Sequence, residues 1–221
     1  MTDIQGYRNL LLQKKAELFF VIFFIVGFAG TITPITRPFF IKLFPFAVLL
    51  SFSAILFFQN SDYTIKTILV LSLTAILGFT VEVAGVNTHI IFGSYNYGNT
   101  LGIKLFNTPL LIGINWVMLS YSGSAITENI QVSVLMRIVF ASIIMLIYDI
   151  FLEQLAQVLD MWRWNNSIVP VRNYVAWFLI ALILQTIIKL SGIKIENSIA
   201  LKIILIHVAF FMSLILFFRL S

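Results

Sequence analysis

Long apolar runs separated by short polar stretches set the pattern of this chain. Runs of about twenty residues, the helix length needed to cross a hydrocarbon core of roughly 30 Å, cover 16–35, 38–58, 64–82, 107–125, 135–154, 173–190 and 198–218. The runs are continuous and lack the period-two alternation of barrel strands. They predict an all-α polytopic membrane protein, a bundle of about seven transmembrane helices forming a single integral-membrane domain over 1–221. No internal repeat is evident. Two prolines, Pro34 and Pro38, disfavour helix at the residues before them and predict a tight hairpin between the first two spans. The first run is longer than the apolar core of a signal peptide and lacks a clear A-x-A site, so it is expected to remain as a span.

Composition agrees with the pattern and narrows the chemistry. The chain is 60% hydrophobic and 10% charged, with a mean hydropathy of +1.02, against roughly 45–50% apolar and about 25% charged in soluble domains. So little polar surface cannot clothe a water-facing exterior, which makes lipid the solvent and a cell membrane, crossed several times, the expected location. The absence of Cys excludes disulfides, thiol catalysis and Cys-ligated metal. Two His are too few for a membrane di-iron oxygenase, and no metal site is expected. The net charge of +5 comes from Lys and Arg scattered singly between apolar runs. That distribution suits interfacial anchors and excludes a nucleic-acid partner.

These cations divide almost evenly between the two sides, so charge gives little guide to orientation. Parity is firmer. The connections after the third and fifth spans must emerge on the same face whichever way the chain is inserted, and they are also the two chemically dense ones.

The first dense stretch runs from Glu82 and Gly85 through His89, Phe92, Gly93, Ser94, Tyr95, Asn96 and Tyr97, with Pro109, Asn115 and Trp116 beyond it. Glu82 is expected to close the third span. Gly78 and Gly85, one turn either side of it, allow a helix or flat ligand to approach the backbone. The plainer reading makes Glu82 an interface marker, the glycines packing aids, and the Gly- and Tyr-containing run a re-entrant or surface loop.

The second dense stretch holds Asp149, Glu153, Gln157 and Asp160, spaced four, four and three apart and therefore expected on one helix face. Trp162, Arg163, Trp164, Pro170, Arg172, Asn173, Tyr174 and Trp177 follow. A carboxyl at the depth of Asp149 costs several kcal/mol unless it faces the bundle interior, is paired, or is protonated. With Glu153 one turn on, two like charges in a low dielectric are expected to share one proton, leaving one acid and one base. The plainer alternative is a hydrogen bond between helices. The tryptophans read either as an interfacial belt or as π-faces able to stabilise a cation. His207, deep in the last span, reads first as a hydrogen-bonded core residue. Lys202 lies too near the start of that span to hold a retinal as the last helix of a microbial rhodopsin does, and the aspartates do not form the paired motifs of a membrane prenyltransferase.

The ordered set of Glu82 with Gly85, 92–97, Pro109, Asn115-Trp116, Asp149 with Glu153, 162–164 and Pro170 through Asn173 to Trp177 resembles the membrane carotenoid biosynthesis protein family. Its characterised members are carotenoid 1′,2′-hydratases and bisanhydrobacterioruberin hydratases. The likeness covers roughly 82–177. His89 after Thr88 and Gln154 after the acid depart from the family's pattern and bear on the choice of substrate. The resemblance implies addition of water across the terminal ψ-end double bond of a carotenoid, giving a tertiary alcohol without a cofactor. On that reading Asp149 or Glu82 is the acid, and Glu153 shares the proton or orients water. Tyr95, Tyr97, Asn115, Trp116, Trp162, Trp164, Asn173 and Trp177 then bind the substrate or stabilise its cation. The partners implied are a carotenoid in the bilayer, membrane lipid, and other enzymes of the same pathway.

Two further readings use the same residues. A membrane lycopene cyclase begins with a similar protonation but captures the cation with an internal alkene, and its Pro and paired-Glu signature is missing here. A small proton-coupled transporter or channel would route ions along the acidic stripe, whereas the polar residues concentrate toward one face. A non-catalytic assembly subunit is a third possibility.

Overall fold

A computed structural model describes residues 2–165 and 167–220. It contains eight α-helices among the described residues: α1 (Thr2–Ile32), α2 (Arg37–Lys42), α3 (Phe44–Phe57), α4 (Ile65–Thr88), α5 (Leu111–Glu128), α6 (Val134–Ala156), α7 (Val171–Ser191) and α8 (Ala200–Leu220). Five are long and apolar enough to cross a membrane: α1 from Leu10, α4, α6, α7 and α8. Their outward faces carry exposed Leu, Ile, Val and Phe, as lipid-facing helices must.

The expected second span is a broken helix. Pro45 follows directly on Phe44, and with no N–H of its own it cannot continue the ladder from α2. The chain therefore restarts at Phe44, and the expected second span is divided between α2 and the short apolar helix α3. The turn before α2 is closed by Arg37, whose Nε and Nη2 donate to the carbonyls of Thr31 (2.9 Å) and Ile32 (3.2 Å) at the end of α1. This is the hairpin expected from Pro34 and Pro38.

Other boundaries shift for local reasons. The third span does not close at Glu82. α4 continues six residues further, to Thr88, and ends where His89 takes the left-handed conformation with φ 59°. Glu82 is thereby placed inside a helix. The fourth span starts at Leu111 instead of Asn107, because Phe106 and Asn107 both have positive φ in a tight hairpin joining β2 (Lys104–Leu105) to β3 (Thr108–Pro109). The expected four-residue acidic stripe is cut short. α6 closes after Ala156, where Asp160 adopts φ 51° and the Met161 N–H reaches the Ala156 carbonyl at 2.8 Å, a six-to-one bond that ends the helix. Asp160 turns away to accept from Arg163 (3.2 Å) and from the Asn99 backbone (3.2 Å).

α5 occupies the centre, with nearly all of its residues buried, among them Asn115, Ser120, Ser122, Ser124 and Thr127. Packed against α4, α6 and α7, it meets protein more than lipid. One polar link ties it to a neighbour: Ser124 donates to Gln185 of α7 (2.9 Å), which in turn donates to the Ser120 carbonyl (2.8 Å).

The connections after α4 and α6 do not lie loose on the surface. They pair as a two-stranded antiparallel ribbon of β1 (Tyr95–Tyr97) and β4 (Trp162–Trp164), in the register Tyr95 to Trp164, Asn96 to Arg163 and Tyr97 to Trp162. Parity placed these two connections on one face. The ribbon joins them directly.

Candidate active site

Side chains two apart on a strand share a face, so Tyr95 and Tyr97 on β1 and Trp162 and Trp164 on β4 all point inward. Asn96 and Arg163 between them are exposed. The ribbon thus sets four aromatic rings over the helix ends that carry the carboxyls. The rings pack closely, with Tyr95 4.9 Å from Trp164 and Tyr97 6.1 Å from Trp162 between centroids.

Glu82 is buried and fully engaged. Its Oε2 accepts from the hydroxyls of Tyr95 (2.7 Å) and Tyr97 (2.9 Å), and its Oε1 accepts from the Trp116 indole (3.1 Å). Gly78 makes room for that indole: a Cβ at Gly78 would lie 2.5 Å from the Trp116 Cβ. At Gly85 a Cβ would lie 2.3 Å from the Phe92 ring, so this glycine lets Phe92 seat the start of the connection against α4. Both glycines serve close approach, by aromatic side chains.

Glu153 has a matching set of donors. Its Oε2 accepts from the indoles of Trp162 and Trp164, each at 2.9 Å, and its Oε1 from the Asn173 amide at 3.1 Å. The same amide lies 3.5 Å from Asp149 Oδ2, a weak contact at best. Asp149 Oδ1 is buried and has no hydrogen-bond partner among the described residues, a state unusual enough to call for an explanation. Among the described residues no Lys or Arg forms an ion pair with Glu82, Asp149 or Glu153.

The three carboxyls line one cavity together with Tyr95, Tyr97, Asn115, Trp162, Trp164, Asn173 and Trp177. The structure therefore assembles ten of the eleven residues singled out from the sequence around one space. The eleventh, Trp116, bonds Glu82 from behind and stacks on Trp177 at 3.9 Å and 18°. Space for the centre of a water molecule amounts to about 30 Å³, room for roughly one or two waters. Burial, and then the neighbouring charge of Glu82, push the phenols of Tyr95 and Tyr97 well above their usual value of 10, so both remain neutral donors.

Sequence reasoning did not find the apolar lining of this site, which includes Leu101, Leu111, Ile112, Leu152 and Met161, nor the pocket beside it. Phe44 and Val48 of α3 line the cavity from the second span, and nothing distinguishes them from the other apolar residues there. A polar surface pocket formed by Asn87, His89, Asn96, Lys104 and Asn107 shares Tyr97 with the cavity, so the phenol stands between the carboxyls and the water-facing side.

The other residues singled out from the sequence lie elsewhere. His207 is buried between Ser51 (2.9 Å) and Tyr148 (3.0 Å) and does not line the cavity. Lys202 pairs with Glu17 on α1. Gln154 faces outward and accepts from Arg219 at 2.6 Å. The two departures from the family's pattern, His89 and Gln154, both lie off the cavity wall.

Compared with known proteins, residues 43–220 match the family described as carotenoid biosynthesis protein. The matched region holds every residue of the cavity. No curated protein and no solved structure matches the chain.

Proposed function

The chain belongs to the carotenoid biosynthesis protein family, and from that premise we propose that it is a hydro-lyase. It adds water across the terminal ψ-end double bond of an acyclic or monocyclic carotenoid. The observation that carries this reading is the contrast among the three buried carboxyls. Glu82 and Glu153 each receive three N–H or O–H donors, the surroundings of carboxylates. Asp149, which lines the same aromatic-walled space, receives one long contact, and its Oδ1 has no donor among the described residues. A buried oxygen without a donor suits a protonated carboxyl, whose O–H has only an incoming π-bond to address.

The reaction follows from that arrangement. The Asp149 proton passes to the less substituted carbon of the terminal alkene, whose π-electrons form the new C–H bond and leave a tertiary cation. Water adds its lone pair to the cation, and the proton it sheds returns to the carboxyl pair of Asp149 and Glu153. The result is a tertiary alcohol and a restored acid, with no net oxidation. Carboxylates at Glu82 and Glu153 stabilise the cation as it forms, aided by the faces of Trp177 and the ribbon aromatics. The small water-sized space limits water without excluding it, and the polar pocket behind Tyr97 supplies it.

The test is expression in bacteria that accumulate lycopene or γ-carotene, with pigments separated and weighed by mass spectrometry. A product heavier by one water is expected. An isomer of unchanged mass would favour cyclisation instead, and unaltered pigments in the presence of folded, membrane-inserted protein would remove both reactions.

A further inference from the structure

We propose that the apolar cleft between α1, the α2–α3 break and α8 seats the polyene chain of the substrate while its end group reaches the carboxyls past Phe44. The proposal rests on the polyene-substrate part of the function proposed above.

The carboxyl cavity has space for water but none for a long hydrocarbon, so an extended substrate must lie mostly outside it. The cleft is the neighbouring space that meets this need. It measures about 260 Å³, is walled by Phe24, Gly27, Phe40, Ala47 and Phe210 among others, and shares Phe44 with the carboxyl cavity. Among the described residues its one polar lining side chain, Thr31, donates its hydroxyl to the Gly27 carbonyl at 2.7 Å and so offers the cleft no free donor. Val26 on its wall is 52% exposed, which opens the cleft toward lipid. A second apolar hollow between α1 and α8 shares Phe24 and Phe210 with it and extends it outward. A larger hollow on the other side of α3, near Phe52 and Ser72, has no lining residue in common with the carboxyl cavity.

The break at Pro45 gives the cleft its shape. Residues from both halves of the interrupted span, Phe40 and Ile41 before it and Phe44 and Ala47 after it, line the space. Phe44 is half-buried at the first position of α3, where its ring stacks at 6.5 Å on Phe211. Phe44 lines both spaces, so on this proposal its ring turns aside as the end group passes. Gly27 matters through what it lacks: a Cβ there meets only Phe210, at an ordinary 3.7 Å, so a larger side chain fills the cleft without colliding with the backbone.

Two variants fill the cleft from different helices, Gly27→Leu on α1 and Ala47→Leu on α3. Ser72→Leu fills the unconnected hollow as a control. Each protein is purified from lycopene-accumulating cells, and the polyene it retains is read by visible absorbance per mole of protein. Turnover is then followed with lycopene and with a short isoprenoid bearing the same terminal alkene. Both cleft variants are expected to lose tenfold or more of retained polyene and of lycopene turnover while keeping the short substrate, and the control to match the parent. Retained polyene and lycopene turnover unchanged in both cleft variants would overturn the proposal, as would a parent protein that holds phospholipid acyl chains and no polyene. Polyene binding without hydration would instead overturn the proposed reaction and leave the cleft assigned.

Discussion

At the scale of single residues, the site separates three chemically similar carboxyls by what surrounds them. Asp149→Asn keeps the shape and the Asn173 contact but removes the transferable proton. Product formation should fall by about 10²–10⁴-fold, the usual contribution of a general acid, at unchanged membrane-inserted yield; full activity would take Asp149 out of the acid role. The neutral phenols carry a second expectation. With Tyr95 and Tyr97 raised above 10, the folded protein holds protons that the unfolded chain has begun to release. Their contribution to stability is therefore constant below about pH 10 and declines as pH rises above it. An alkaline series of thermal melts with tyrosinate absorbance should show these two phenols ionising only as the protein unfolds. Much of this scale was legible in the sequence, since Asp149, Glu153 and Glu82 stand out in a chain with so few charges. The use of the aromatics was less so. Sequence left them open between an interfacial belt and π-faces for a cation, whereas their N–H and O–H groups hold the two glutamates, and residue type alone does not reveal which edge of a ring is engaged.

At the scale of elements, the β1–β4 ribbon converts two distant connections into one wall. Sequence placed both on the same membrane face, but three-residue strands give too short an alternation to be read against a helical background. The acidic stripe failed for a similar reason: a helical period continues on paper through Asp160, while a single left-handed residue ends it in three dimensions. Glycines at van der Waals contact explain how the wall reaches α4. Gly78→Ala would push its methyl to 2.5 Å from the Trp116 Cβ, forcing the indole off Glu82. Overpacking of this kind costs about 1–3 kcal/mol. Thermal unfolding in detergent should show that loss, and product formation should fall with it; a variant as stable and active as the parent would show that Trp116 does not depend on this approach.

At the scale of the whole molecule, a shell of apolar helices encloses a central α5, and the three buried carboxyls gather beneath the ribbon. A natural chain without Cys makes the topology easy to test. Single cysteines at Asn96 or Asn165, both exposed on the ribbon side, should react with an impermeant thiol reagent from one side of the membrane. A cysteine at Ser61, before α4, should react from the other; labelling of all three from the same side would contradict the path of α4. Hydropathy predicted a helical bundle of about seven spans, whereas five helices among the described residues have the length and apolarity to cross a membrane; the run that forms α5 reads as one more span because burial by protein and burial by lipid select similar residues. The most direct measurement of the central claim is conversion of a ψ-ended carotenoid in water enriched in heavy oxygen and deuterium. Hydration by the carboxyl site predicts a product whose hydroxyl oxygen comes from water and whose adjacent carbon carries one solvent-derived hydrogen, both lost with Asp149→Asn. A hydroxyl oxygen that does not come from water, or a product with no added oxygen, would contradict it.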